Sequence, residues 1–149
     1  MATYTSYTIL PGQKLILANF QGKIRMGDLI DLNLKFISDP AFDRSFDLIM
    51  DFTGSIAIGY KMDLLEYIEF FKKTIRLKKR VRVGIVHSSP NQSYLIGIYK
   101  PIASLLKMDV QDFKQLEPCL KWMGYSDSEK QQIRSSLESI RDTSHEINY

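Results

Sequence analysis

Short runs of β-branched and aromatic residues alternate with longer stretches of helical periodicity along most of this chain. That alternation constrains the fold more than any other feature. Phe46–Phe52 carries an unbroken Leu48-Ile49-Met50 run, which suits a strand covered on both faces. Lys61–Leu77 follows, with Leu64, Leu65, Ile68, Phe71 and Ile75 forming a helical stripe. Arg80–His87 then reads as a second central strand. Strand, helix and strand in that order make a parallel pair with a crossover.

The same logic extends in both directions. Tyr7–Leu10 and Leu15–Phe20 read as strands split by Pro11-Gly12-Gln13, an opening hairpin, with Gly22 as a bend after it. Met26–Ile37 reads as a helix, stopped at Ser38-Asp39-Pro40 because the residue before proline leaves the α region. Helical spacing from Tyr94 to Leu106 runs through Pro101, where a kink or break is expected. Asp109–Phe113 is a last short strand, and Glu117–Met123 a short helix with Gly124 as its C-cap. Ser126–Arg141 is a polar helix with Ser126 or Ser128 as N-cap, and the chain after Thr143 is expected to fray. The expectation is an α/β domain over residues 1–125, with a largely parallel sheet flanked by helices, followed by a polar helix and tail over 126–149.

Composition narrows the function. At 149 residues, 44% hydrophobic and 25% charged, the chain suits one packed domain. A single cysteine, Cys119, rules out an internal disulfide and a cysteine-based zinc site. His87 and His145 lie far apart, so no metal and no cofactor are expected. The first residues lack the basic-then-apolar pattern of a signal peptide. No stretch approaches the roughly 18 apolar residues of a membrane span. A cytoplasmic protein is the expectation. The net charge of +3 is too small to imply nucleic acid.

Three places invite a chemical reading. Asp51, His87 and Ser88 or Ser89 fall at the C-terminal ends of two strands, where ligands gather in open α/β sheets. A hydrolase would need them to converge, but neighbours in a strand point to opposite faces and the Gly-x-Ser-x-Gly elbow is missing. The loop Gly54–Lys61 falls one residue short of a phosphate-binding loop, since Tyr60 separates Gly59 from Lys61 and Met62 follows. It reads better as a tight strand-to-helix connection, with Gly59 to Met62 able to hold an acidic group at a helix N-terminus. Seven cations lie among residues 72–82, namely Lys72, Lys73, Arg76, Lys78, Lys79, Arg80 and Arg82. They could form an anion-binding surface, although such runs are usually solvated faces. The run has no interleaved aromatics for base stacking, which disfavours nucleic acid. Cys119 and Trp122 read as packing residues.

A family resemblance sharpens the expectation. Ile24, Asp39-Pro40-Ala41-Phe42, Phe46–Phe52, Val81–Val86, Val110, Phe113, Glu117 and Leu120–Gly124 together resemble the bacterial SpoIIAA-like proteins, which carry a STAS or STAS/SEC14-like domain. The resemblance implies a mixed sheet with helices mainly on one side. Its best-known members are anti-sigma-factor antagonists switched by phosphorylation of a serine at the start of the second helix. Here the matching window, residues 57–62, has no Ser or Thr, and Thr53 and Ser55 are off register. Other relatives resemble lipid-binding SEC14 domains.

The expected function is therefore non-enzymatic binding or regulation through protein contacts. The alternative is a lipid or small apolar ligand held between sheet and helices. The expected binding residues are Asp51, Thr53, Ser55, Gly59, Tyr60, Lys61, Tyr67 and Phe70, with Lys72, Lys73, Arg76, Lys78 and Lys79 as an anionic-ligand surface. Met62, Tyr67, Phe70 and Phe71 exceed what one buried stripe needs, so part of that helix is expected to be exposed. Homodimers are an expectation as well, because small sheets with open edges pair.

Overall fold

The structure, a computed structural model, describes residues 3–57, 61–88 and 90–146. Its elements are β1 (Tyr4–Leu10), β2 (Leu15–Ile24), α1 (Met26–Ile37), β3 (Asp47–Ala57), α2 (Lys61–Thr74), β4 (Val81–Val86), α3 (Pro90–Leu105), β5 (Met108–Phe113), α4 (Leu116–Met123) and α5 (Asp127–Glu146). The sequence predicts this order of strands and helices.

The five strands stand side by side in chain order. β1 runs antiparallel to β2, and β2 through β5 are parallel. Helices α1, α2 and α3 each link adjacent parallel strands in the same direction. Right-handed crossovers then put all three on one face. The period-two alternation of the strands shows it. Ile16, Ala18 and Phe20 of β2 pack with Leu32 and Phe36 of α1, and with Tyr67, Ile68 and Phe71 of α2. Leu15 and Leu17 point the other way, onto Leu120 of α4 and Ile133, Leu137 and Ile140 of α5. The polar C-terminal helix is thus half of the second layer. Its apolar residues are few but correctly spaced, and Ile133 is fully buried.

Local chemistry fixes the ends. Gly124 takes the left-handed conformation, φ 81°, that closes α4. Ser126 caps α5 through a reciprocal pair: Glu129 N donates to Ser126 Oγ, and Ser126 N donates to Glu129 Oε1. The Asp39-Pro40-Ala41-Phe42 turn has its own cause. Asp39 accepts from Ala41 N at 2.9 Å and from Tyr7 Oη at 2.8 Å, which holds its carboxyl below the usual range.

Four expectations change. β3 does not end at Thr53-Gly54-Ser55 but runs on to Ala57. Between Asn19 and Gln21 of β2, β3 has one residue more than its neighbour, and pairing resumes at Gln21 with Gly54. A bulge absorbs the extra residue, so the turn-like composition does not stop the strand. β2 likewise passes Gly22 and reaches Ile24. α3 is continuous through Pro101. α2 is rotated relative to the expected stripe: Leu65 is 55% exposed, whereas Tyr67 is 3% exposed and lies in the core.

Gly84 shows how closely α4 approaches the sheet. A Cβ there would stand 2.3 Å from Cys119 Sγ and 3.4 Å from Met123 Cε. Gly84→Ala should therefore destabilise the fold by about 1–3 kcal/mol in urea unfolding. The loss should shrink in a Cys119→Ala background, which removes the obstructing sulfur. Equal losses in both backgrounds would refute the close approach.

Candidate functional site

Two polar sites lie on opposite faces of the sheet. The first is built around Asp51, whose side chain is fully buried. Alternation in β3 sends Asp51 to the same face as Ile49, under α5. Arg141 of α5 donates to Asp51 Oδ2 from Nε at 2.8 Å and from Nη2 at 2.5 Å. Asn19 Nδ2 donates to the same oxygen at 2.8 Å. Oδ1 accepts from Thr53 Oγ1 at 2.7 Å and Thr53 N at 3.1 Å. Gln21 Nε2 reaches Asn19 Oδ1 at 2.9 Å and extends the network. A buried carboxylate needs a cation and several donors, and this one has both.

The second site sits at the C-terminal ends of β4 and β5, on the α1–α3 face. His87 is 4% exposed. Its Nε2 lies 2.9 Å from Asp112 Oδ2, which also accepts from Ser93 Oγ at 3.1 Å. Lys100 Nζ pairs with Asp112 Oδ1 at 3.0 Å. Burial pushes the Asp112 carboxyl up, but hydrogen bonds from His87, Lys100 and Ser93, with the Lys100 charge, outweigh it and hold it at about 2. An ionised Asp112 accepts only, so His87 Nε2 carries the proton. An open cleft of about 620 Å³ lies against this group, lined by His87, Ser88, Pro90, Ser93, Asp112, Phe113 and Lys114.

The structure does not bring the expected acid and base together. In register Asp51 stands beside Val86, so His87, one residue on, points to the other face. Asp51 is engaged by Arg141, and His87 takes Asp112 as its acid instead. Thr53 and Ser55 flank the bulge. The Ser55 side chain is buried, and its hydroxyl donates to Phe52 O at 2.9 Å. The expected strand-to-helix connection over Gly54–Lys61 is corrected as well, because Gly54 is paired with Gln21 and β3 runs on to Ala57. Gly59 and Tyr60 lie outside the described residues, and Lys61 opens α2. Tyr67 does not belong to any exposed surface. Burial pushes its phenol up, and its hydroxyl reaches Asn33 Oδ1 at 3.4 Å. Phe70 is half-buried and packs on the core. The apolar excess on α2 is thus mostly core, with Leu65 left outside.

The cation run divides in two. Arg80 pairs with Asp109, and Arg82 pairs with Asp47 at 2.9 Å while donating to Met123 O at the end of α4. These are structural contacts. Lys72, Lys73, Arg76, Lys78 and Lys79 are exposed, and among the described residues none forms an ion pair within 4 Å.

Sequence reasoning missed Arg141, Asn19 and Asp112. Asp112 left a signal: it falls on the inward phase of β5 with Met108 and Val110. Arg141 left none, because 90 residues separate it from Asp51.

The layered sheet, with its antiparallel β1 and four parallel strands, is a SpoIIAA-like fold. A solved structure with this fold is an uncharacterized protein of the DUF3478 family from Shewanella loihica PV-4. It superposes with a TM-score of 0.51 at 15% identity, covering 82% of this chain and 95% of that one. No protein-family model and no curated protein matches the sequence. Among the described residues, no helix is long and apolar enough to cross a membrane, and no cluster of three or more His, Cys, Asp or Glu residues could hold a metal ion.

Two outcomes test this geometry. Arg141→Met strands a buried carboxylate and should cost about 2–3 kcal/mol, less than for a fully buried pair because Arg141 is 38% exposed. Adding Asp51→Asn should restore part of that loss in chemical denaturation. For Asp112 the folded carboxyl is held low, so its contacts stabilise fully above the ordinary carboxylate range, about 4. That contribution disappears as pH falls through about 2. Acid unfolding of Asp112→Asn should lack this component, and identical acid profiles would contradict it.

Proposed function

We propose that this chain is a non-enzymatic binding domain that acts through protein contacts on the outer face of α2. One observation carries the reading. Leu65 stands exposed on the same helix as Lys72 and Lys73, and the cation series continues through Arg76, Lys78 and Lys79. Positions 65, 69, 72 and 73 follow helical spacing, so one face combines the apolar Leu65 with Glu69, Lys72 and Lys73, and Arg76, just past the helix end with φ 48°, carries the cations on into the following loop. Ile56, 58% exposed near the end of β3, lies just before this helix in the chain. A partner with an acidic rim around an apolar pocket complements such a face.

The non-enzymatic part of the proposal rests on the separation of Asp51 from His87. The absence of Ser and Thr from residues 57–62 supports a contact that works without the phospho-switch of the best-known SpoIIAA-like proteins. The lipid alternative is less well supported. The cleft at His87 sets Pro90 and Phe113 beside Asp112 and Lys114, and a second cleft of about 480 Å³ sets Pro101, Met108, Val110 and Trp122 beside Arg82, Lys100 and Asp109, so both carry charges among their apolar residues. Both suit polar ligands better than an acyl chain.

The test is comparative capture by crosslinking, with the wild-type chain and a Leu65→Asp, Lys72→Glu, Lys73→Glu variant. These positions are exposed, so the variant should keep its fold. A specific acidic partner should fall by about tenfold or more with the variant and weaken with salt. If every captured protein is retained by the variant, the α2 face is not the binding surface.

A further inference from the structure

His87 poses a problem that the binding surface on α2 does not solve. Its ring is buried in the wall of the cleft at the ends of β4 and β5, and Nδ1 has no hydrogen-bond partner. A buried polar atom without a partner is rare in a folded protein and needs an explanation. Asp112 fixes the other nitrogen as a donor. A neutral ring therefore presents a lone pair at Nδ1, and a charged ring presents an N–H. Either state calls for a ligand atom.

The surroundings say which kind. The cleft lies at the start of α3, a helix of 16 residues, whose first-turn N–H groups have no partners within the helix. Ser88 adds an exposed hydroxyl. Lys114 is exposed on the rim and forms no ion pair among the described residues. Asp112 is neutralised by Lys100. The cleft thus sets a free cation and donors around one buried nitrogen without a partner.

We propose that this cleft binds a phosphate-class oxyanion, with His87 Nδ1 as its buried contact and Lys114 and the α3 N-terminus around its outer oxygens. Phosphate suits both states of the ring. The second ionisation of a phosphate monoester falls near pH 6, and that of inorganic phosphate lies nearer neutrality. It can hold the shared proton and donate O–H to the lone pair, or accept N–H from the charged ring. Sulfate cannot hold that proton near neutrality.

The experiment follows the imidazole nitrogens of the full-length chain by nitrogen NMR. Inorganic phosphate, glycerol 3-phosphate and sulfate are titrated at matched ionic strength, with His145 as the internal reference. The Nδ1 resonance of His87 should shift and saturate with Kd about 1 mM or tighter. Sulfate should bind more weakly, and Lys114→Ala should weaken phosphate by about tenfold without altering the fold, since Lys114 is exposed. Inorganic phosphate binding as well as the monoester would identify free phosphate as sufficient. A monoester bound tighter by about tenfold would identify a phosphorylated molecule as the ligand. An Nδ1 resonance that does not move with either phosphate would overturn the proposal. So would equal shifts with sulfate and in Lys114→Ala.

Discussion

Asp51 has no exposed surface, and its cation comes from the far end of the chain. A buried carboxylate left alone is expensive, so this face of the sheet is stable only with α5 seated on it. The rest of the second layer follows. Ile133, Leu137 and Ile140 cover Leu15, Leu17 and Ile49, while Arg141 reaches past them to the charge. The same contact takes Asp51 out of any chemistry. What looks in one dimension like an acid at a ligand-binding edge is a tether between layers.

The opposite face obeys a different constraint. Three crossovers of one hand crowd α1, α2 and α3 together and bury the aromatic residues of α2 in the process. Tyr67 and Phe71 fill that space, and the tie from Tyr67 to Asn33 links α2 to α1. Because the strands follow chain order without reversal, the sheet has no switch point of the kind that opens a ligand crevice in doubly wound folds. The polar cleft instead sits at one corner, where β4, β5 and the start of α3 meet. The surfaces open to recognition, a charged helix flank and a small polar cleft, therefore both lie on the crossover side, and the buried tether lies on the other.

Much of the fold was legible because its signals are local. The apolar run at Leu48-Ile49-Met50, the alternation in Val81–Val86, the Pro-Gly turn and the αL glycine at 124 each act within a few residues. The misread boundaries have a shared cause. Gly22 and Gly54 look like strand ends, yet β2 and β3 support each other past both, once a bulge absorbs one residue. Pairing between neighbours overrides composition. Of the site, His87 was visible as a strand-end histidine, but its partner was not, since the choice between Asp51 and Asp112 depends on which face each strand presents at that row.

Sequence alone determined the order of elements and the exclusion of an internal disulfide and a cysteine-based zinc site, because periodicity and residue counts are properties of the chain itself. The tertiary structure decided which polar groups meet. Asp51 with Arg141 and His87 with Asp112 are pairs made across 90 and 25 residues by strand register and helix docking. No local propensity encodes them, since a one-residue change of register would turn each side chain to the other face.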